Sequence, residues 1–168
     1  PVFIGHNIFS PEDAEKMLAE GNADFVALGR SQLADPAWAK KAKEGRASDI
    51  KPCINCLIGC IDRGMLSHTP IHCTVNPSLY RFECKPVEKA ETRKQVAVVG
   101  AGPAGCEAAL TASKRGHQVT IYEKRCIGGA MIEASKPENK ANIKRLINYY
   151  EDHIMHDPNI TLVKKEVE

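Results

Sequence analysis

Four cysteines constrain this chain more than any other feature: Cys53, Cys56, Cys60 and Cys73, at the spacing C-x2-C-x3-C-x12-C. Soft thiolates gathered this closely suit a metal centre. From Ala47 to about Arg93 hydrophobic periodicity disappears, and Pro, Gly, Cys, His and Asn dominate. Such a stretch has little to bury, so ligation must take the place of a hydrophobic core. Its tail, Lys85 to Lys94, is charged and reads as a linker.

The segment before it alternates strand and helix. Val2 to Ile4 is a short apolar run, expected as a buried parallel strand, and Gly5-His6-Asn7 is a turn. Ser10-Pro11-Glu12-Asp13 is a helix start, with an N-cap serine, proline at the first helical position and acids in the first turn. Ala14, Met17 and Leu18 share one face of that helix, which stops at Gly21-Asn22. Phe25 to Leu28 reads as a second buried strand closed by Gly29-Arg30, and Asp35-Pro36 opens a helix from Ala37 to about Glu44. Strand, helix, strand, helix with short connections fits an open parallel sheet or the last units of an eight-fold barrel. A barrel takes about 250 residues, so on that reading the chain is a fragment.

The segment after it carries a dinucleotide fingerprint. Gln95 to Val99 reads as a strand, followed by Gly100-Ala101-Gly102-Pro103-Ala104-Gly105 and a helix to about Arg115. A second strand, Val119 to Tyr122, ends in Glu123, 18 residues after Gly105. Gly100 allows the tight turn, Gly102 lets backbone approach a pyrophosphate, and Gly105 lets helix and strand pack closely. The helix N-terminus offers free N–H groups to phosphates. Glu123 can accept hydrogen bonds from ribose hydroxyls and disfavours a 2′-phosphate. Lys140 to His153 repeats Ile143, Leu146, Ile147 and Tyr150 at helical spacing, and Ile160 to Val163 is a third strand. The fingerprint alone leaves NAD and FAD open.

Composition narrows the class. The chain has 168 residues and a net charge of +2, with no basic stripe that would argue for nucleic acid. No apolar run approaches the roughly 18 to 20 residues needed to span a bilayer. Nothing points to export, so the seven cysteines read as reduced thiols in a cytoplasm rather than disulfides. The cluster spacing leaves two metals open. Zinc takes four thiolates but usually pairs two C-x2-C knuckles. Three cysteines at x2 and x3 with a fourth downstream look more like a [4Fe–4S] site. Pro52 stiffens the approach and Gly59 eases the crowded turn before Cys60. With four thiolates completing a set, His68 and His72 are not needed as ligands. Cys106 reads as a small core residue, and Cys84 and Cys126 receive no role. His117, His153 and His156 are expected at the surface, and Trp38, Tyr149 and Tyr150 as helix packing residues.

With these motifs in order, the chain resembles the iron–sulfur flavoenzymes with an Old Yellow Enzyme-like barrel: 2,4-dienoyl-CoA reductase, 2-enoate reductase and NADH:flavin oxidoreductases. The resemblance rests on Ile4-Gly5-His6-Asn7-Ile8, on Ala27-Leu28-Gly29-Arg30 with Leu33-Ala34-Asp35-Pro36, and on the four cysteines. It continues through Val75-Asn76-Pro77 and Val98-Val99-Gly100 to Gly105. It implies an α/β architecture in three parts. Residues 1–46 would be C-terminal units of an FMN-binding TIM barrel. Residues 47–93 would be the [4Fe–4S] segment and linker, and 94–168 the first βαβ part of a Rossmann-like FAD-binding domain. Lys124 and Gly128-Gly129 look like the extension of FAD-binding two-dinucleotide-domain flavoproteins.

The resemblance also implies roles. Gly5, His6, Asn7, Gly29 and Arg30 would surround the FMN phosphate, Arg30 pairing with it. The family often has Gly at the place of Asn7. Cys53, Cys56, Cys60 and Cys73 would ligate the cluster. Gly100, Gly102, Pro103, Ala104, Gly105, Glu123, Lys124, Gly128 and Gly129 would bind FAD, with Ala130 where relatives often carry Gln. NAD(P)H would reduce FAD, electrons would pass singly through the cluster to FMN, and reduced FMN would attack a small substrate's activated C=C bond. The substrate pocket and proton donor would lie on strands absent here, so no catalytic residue is assigned. Two other readings stay open: a stand-alone electron-transfer module, and a zinc-stabilised nucleotide-binding module without redox chemistry.

Overall fold

A computed structural model describes residues 1–79 and 87–167. Cys84 lies outside the described residues. The chain divides into two compact units, Pro1–Phe82 and Glu83–Glu168, and the cysteine segment falls in the first.

In the first unit, β1 (Phe3–Gly5) and β2 (Phe25–Ala27) pair in parallel, Phe3 opposite Phe25. Both were expected to be buried, but they are buried on one face only. Ile4, Val26 and Leu28 pack on a core of Ile8, Ala14, Trp38 and Ile50. Phe3 and Phe25 point the other way, are 69% and 50% exposed, and stack on each other at 4.8 Å. Alternation in a two-stranded sheet covered on one side produces this split.

Helix α1 (Pro11–Ala19) starts as the sequence predicts. Ser10 Oγ accepts the Asp13 N–H at 3.1 Å and Asp13 Oδ2 accepts the Ser10 N–H at 3.1 Å, a complete capping box. It ends at Gly21, whose φ of +71° is in the left-handed region. Two short helices follow, α2 (Arg30–Ala34) and α3 (Trp38–Lys43). The sequence reading has no helix between Gly29-Arg30 and Asp35, because five residues are too few to show a helical period. A 3-10 turn (Ala47–Asp49) and a π-helix (Ile58–Leu66) complete the unit. The π-helix corrects the expectation of an aperiodic cysteine segment.

The second unit is a parallel sheet ordered β3 (Gln95–Val99), β4 (Gln118–Glu123), β5 (Ile160–Lys164). Helix α4 (Pro103–Lys114) links β3 to β4. Between β4 and β5 lie α5 (Ala130–Ala134), a 3-10 turn (Glu138–Lys140) and α6 (Ala141–His156). Val119, Ile121, Cys106, Ala109, Leu146, Ile147 and Ile154 form the core. Tyr149 and Tyr150 are buried as expected. His153, expected at the surface, is half-buried and stacks on Tyr149 at 4.0 Å. His117 is also half-buried, its Nδ1 accepting the Lys94 N–H at 3.2 Å. Among the described residues no helix is long and apolar enough to cross a membrane.

Candidate metal and nucleotide sites

The cysteine segment is held at both ends by the α2–α3 corner. Asp35 Oδ2 accepts Lys41 Nζ at 2.6 Å and the Lys51 N–H at 2.9 Å, which fixes the backbone just before Pro52-Cys53. Burial raises the Asp35 pKa, but the Lys41 and Lys51 bonds outweigh it and hold the carboxyl below its ordinary value. Beyond Cys73, buried Asn76 donates from Nδ2 to the Leu33 carbonyl at 2.9 Å. Between these anchors the His72 N–H donates to the Gly59 carbonyl at 2.8 Å. That contact brings the chain before Cys60 against the chain before Cys73. It also explains Gly59: a β-carbon there would overlap the His72 carbonyl.

Cys53, Cys56, Cys60 and Cys73 all line one cavity, with Arg30, Leu33, His72 and Thr74 among its other walls. All four are free thiols. Among the described residues, no three His, Cys, Asp or Glu side chains converge closely enough to hold a single metal ion. Tetrahedral zinc, with Zn–S near ~2.3 Å, needs thiolates about 3.8 Å apart. A four-iron cluster takes thiolates at its corners and so needs them spread around a cavity. Four thiols on one cavity are the donor set that a four-iron cluster takes.

The thiols already have polar company. The Asn55 N–H lies 3.4 Å from Cys53 Sγ, and Thr74 Oγ1 lies 3.1 Å from Cys56 Sγ. Burial pushes the Cys53 thiol up, with the Asn55 N–H and the Arg30 guanidinium pulling the other way. Asn55 and Leu57 take positive φ, +55° and +64°, so the tight loop between the first three cysteines stores backbone strain. His72 reaches the cavity wall and His68 is exposed. Sequence reasoning missed Asn55, Leu57 and Thr74, none of which carries a motif signal.

A second pocket is lined by His6, Asn7, Leu28, Gly29, Arg30 and Ser31, with Ile61 of the π-helix. His6 and Asn7 both take positive φ, +88° and +55°. Arg30 Nη2 donates to Asn7 Oδ1 at 3.3 Å, and Ser31 Oγ donates to the Ile8 carbonyl at 2.6 Å. These bonds join the loops after β1 and β2 around one space. Gly5 ends β1 beside Ala27 and is not part of the lining.

The third site follows β3. Gly100 takes φ +91°, and Gly102 caps α4 with Pro103 and Ala104 in its first turn. A β-carbon on Gly105 would overlap the Gly100 carbonyl. Glu123 at the end of β4 accepts the Ala101 N–H at 2.7 Å and the Arg125 N–H at 2.7 Å, one on each carboxylate oxygen. The Ala101 bond is the main reason its pKa is lowered. The double glycine packs against this turn. The Gly128 N–H donates to the Ala101 carbonyl at 2.8 Å, and Gly129 approaches Gly102 so closely that a β-carbon would lie 3.0 Å from Cα. Gly100, Gly102, Glu123, Lys124, Arg125, Gly129 and Lys165 line an open pocket, with Lys124 paired to Glu166 at 2.6 Å.

Comparison with known proteins agrees in both units. Residues 94–167 match the family described as pyridine nucleotide-disulphide oxidoreductase. An NADH oxidase of Thermoanaerobacter brockii is 51% identical over 146 residues, 86% of this chain and 22% of that protein. A cinnamate reductase of Clostridium sporogenes is 35% identical over 152 residues, 90% of this chain and 23% of its own length. A solved 2-naphthoyl-CoA reductase, in complex with 2-naphthoyl-CoA, superposes with a TM-score of 0.93 at 35% identity, covering 99% of this chain and 26% of that one.

These relatives bear out the resemblance to the iron–sulfur flavoenzymes with an Old Yellow Enzyme-like barrel. It spans about a fifth to a quarter of the length of these relatives. In the terms of that family, the cysteine cavity and the Asn7–Arg30 pocket share the first unit, and the fingerprint occupies the second.

Proposed function

We propose that this chain carries cofactor sites of an NAD(P)H-dependent flavin and iron–sulfur oxidoreductase that reduces an activated C=C bond. The observation that carries the reading is the single cavity lined by Cys53, Cys56, Cys60 and Cys73, with a nucleotide fingerprint on the same chain. The substrate class comes from the relatives named for cinnamate and 2-naphthoyl-CoA, and the donor from the NADH oxidase.

In this reading residues 1–46 are C-terminal units of an FMN-binding TIM barrel, 47–93 the cluster segment and linker, and 94–168 part of the FAD-binding domain. Bound flavins supply two-electron chemistry and a [4Fe–4S] cluster supplies one-electron exchange. The residues do the rest. The four cysteine thiolates hold the cluster, while the Asn55 N–H and the Thr74 hydroxyl contact two of the sulfurs. Arg30, held by Asn7, would meet the FMN phosphate between the loop of His6 and Asn7, which follows Gly5, and the loop of Gly29. Gly100 to Gly105 open the N-terminus of a 12-residue helix toward the FAD pyrophosphate. Glu123 stays ionised, keeps the fingerprint turn closed through Ala101, and disfavours a 2′-phosphate. Lys124 and the Gly128-Gly129 strap complete that rim. Free thiols in such a site call for a reducing compartment, which supports a cytoplasmic location.

The test is anaerobic purification with iron, sulfide, zinc, FMN and FAD counted on one sample, followed by NADH oxidation with a cinnamate-type enoate. About four irons and four sulfides, both flavins and enoate-dependent turnover are expected. Stoichiometric zinc without flavin or iron overturns the reading.

A further inference from the structure

Arg30 lines two cavities. It forms a wall of the pocket that holds His6, Asn7 and Gly29 and also a wall of the cavity holding the four cysteines, and its guanidinium acts electrostatically on the Cys53 thiol. Asn7 fixes it from the first side by accepting from Nη2 at 3.3 Å. The two spaces are also joined by the π-helix. Cys60 from that helix lines the cysteine cavity and Ile61, the next residue, lines the Asn7 pocket.

Each site, if filled as proposed above, is anionic. A phosphoryl group carries close to two negative charges. Four thiolates outweigh the core charge of a cubane cluster, and one-electron reduction adds another negative charge. A guanidinium stays protonated throughout, so one fixed positive charge faces two anions. Neither anion can use all of it while the other is present.

We propose that Arg30 couples the two sites: its single charge is shared between a phosphoryl group in the Asn7 pocket and the cysteine-bound cluster, so that phosphate binding and cluster reduction oppose each other. The inference rests on the cluster and flavin reading of these sites. Its direction follows from charge. Arg30 favours the reduced cluster and raises its midpoint potential. A phosphate bound to Arg30 cancels part of that effect and lowers the potential. By reciprocity, reducing the cluster weakens phosphate binding by the same factor. Arg30 is a positioning and tuning residue here, acting on the potential of a neighbour. In the assembled protein this would make reduction of the cluster depend on whether the phosphate of the adjacent flavin is seated.

The experiment is an anaerobic dithionite titration of the full protein, followed by the electron spin signal of the reduced cluster. Wild type, Arg30→Lys and Arg30→Gln are compared, with iron, sulfide and FMN counted on each. Arg30→Gln should lower the reduction equilibrium constant on the order of tenfold, ~59 mV for one electron. Arg30→Lys should restore most of it. In FMN-depleted wild type, inorganic phosphate should lower the midpoint, and in FMN-depleted Arg30→Gln it should not. An Arg30→Gln protein with four irons and the wild-type potential overturns the coupling. So does a wild-type midpoint that phosphate leaves unmoved, and this second measurement decides alone if Arg30→Gln loses the cluster. Absence of iron and sulfide from every sample sinks the cluster reading and this inference together. Their presence with an unmoved potential sinks the inference alone.

Discussion

A β-carbon at Gly105 would overlap the Gly100 carbonyl oxygen, which is backbone and has nowhere to go. Gly105→Ala should therefore open the β3–α4 turn and cost about 3 kcal/mol. Thermal melting followed by circular dichroism, with FAD counted on the purified protein, checks this; a wild-type melt with full FAD would refute it. Cysteine chemistry at this scale is just as local. Cys106 is fully buried, donates to the Ala101 carbonyl at 3.3 Å, and burial pushes its pKa up to about 12. Cys126 is exposed. Iodoacetamide near pH 8 should label Cys126 at least tenfold faster than Cys106, since the thiolate is the nucleophile; site-resolved mass spectrometry reads the ratio. The glycines and Cys106 were legible in the sequence because each answers one steric demand of the fingerprint. Asn55 and Leu57 were not: asparagine tolerates positive φ but does not announce it in a sequence, and leucine has no preference for it.

Among the elements, α1, α4 and α6 were legible because each runs at least nine residues, long enough for caps and a 3.6 period to show. The five-residue helices α2 and α5 are little more than one turn and left no periodic trace. The π-helix escaped for another reason. Its turns close through bonds such as Asp62 N–H to the Leu57 carbonyl at 3.0 Å and Ser67 N–H to the Asp62 carbonyl at 2.8 Å. That i to i+5 pattern does not fit a 3.6-residue template. Asp35 is the joint between elements, reached by Lys41 of α3 and by the Lys51 N–H before Cys53. Lys41→Met would leave a nearly buried carboxylate without its cation, and should destabilise the first unit by about 3 kcal/mol, read as a shift in urea midpoint. The same group sets an acid limit. Its folded pKa lies below the ordinary value, so its stabilisation is full above the unfolded pKa near ~3.9 and is lost as pH falls through the lower folded one. Wild type should lose that increment in acid, whereas Asp35→Asn should start lower at neutral pH and lose less. Equal acid sensitivity of the two proteins would show that Asp35 contributes nothing.

At the scale of the whole molecule, the two units are stabilised by different means. The second has a continuous apolar core in which Val119, Ile121, Ile147 and Ile154 are almost wholly excluded from water, behind a three-stranded parallel sheet. The first has a small core of Ile8, Ala14, Trp38 and Ile50. Its cysteine segment adds little to that core. Leu57, Ile58, Ile61, Met65 and Leu66 are exposed, and the π-helix therefore turns much of its apolar surface outward. What holds residues 50–79 is a few anchors, the Asp35 and Asn76 bonds and the Gly59–His72 contact, together with whatever the four thiols ligate. Ligation then contributes folding free energy directly, as in other domains that close around a metal centre. Removing iron with a chelator under anaerobic conditions should accelerate amide exchange across residues 50–79 by about tenfold or more. Exchange in β3, β4 and β5 should stay at its original rate, because no thiol of the cavity belongs to that unit. Hydrogen-exchange mass spectrometry on the iron-loaded and stripped protein gives both answers from one sample pair. Unchanged exchange over 50–79 would mean that side-chain packing alone holds the segment. Faster exchange in β4 as well would mean that the two units unfold as one.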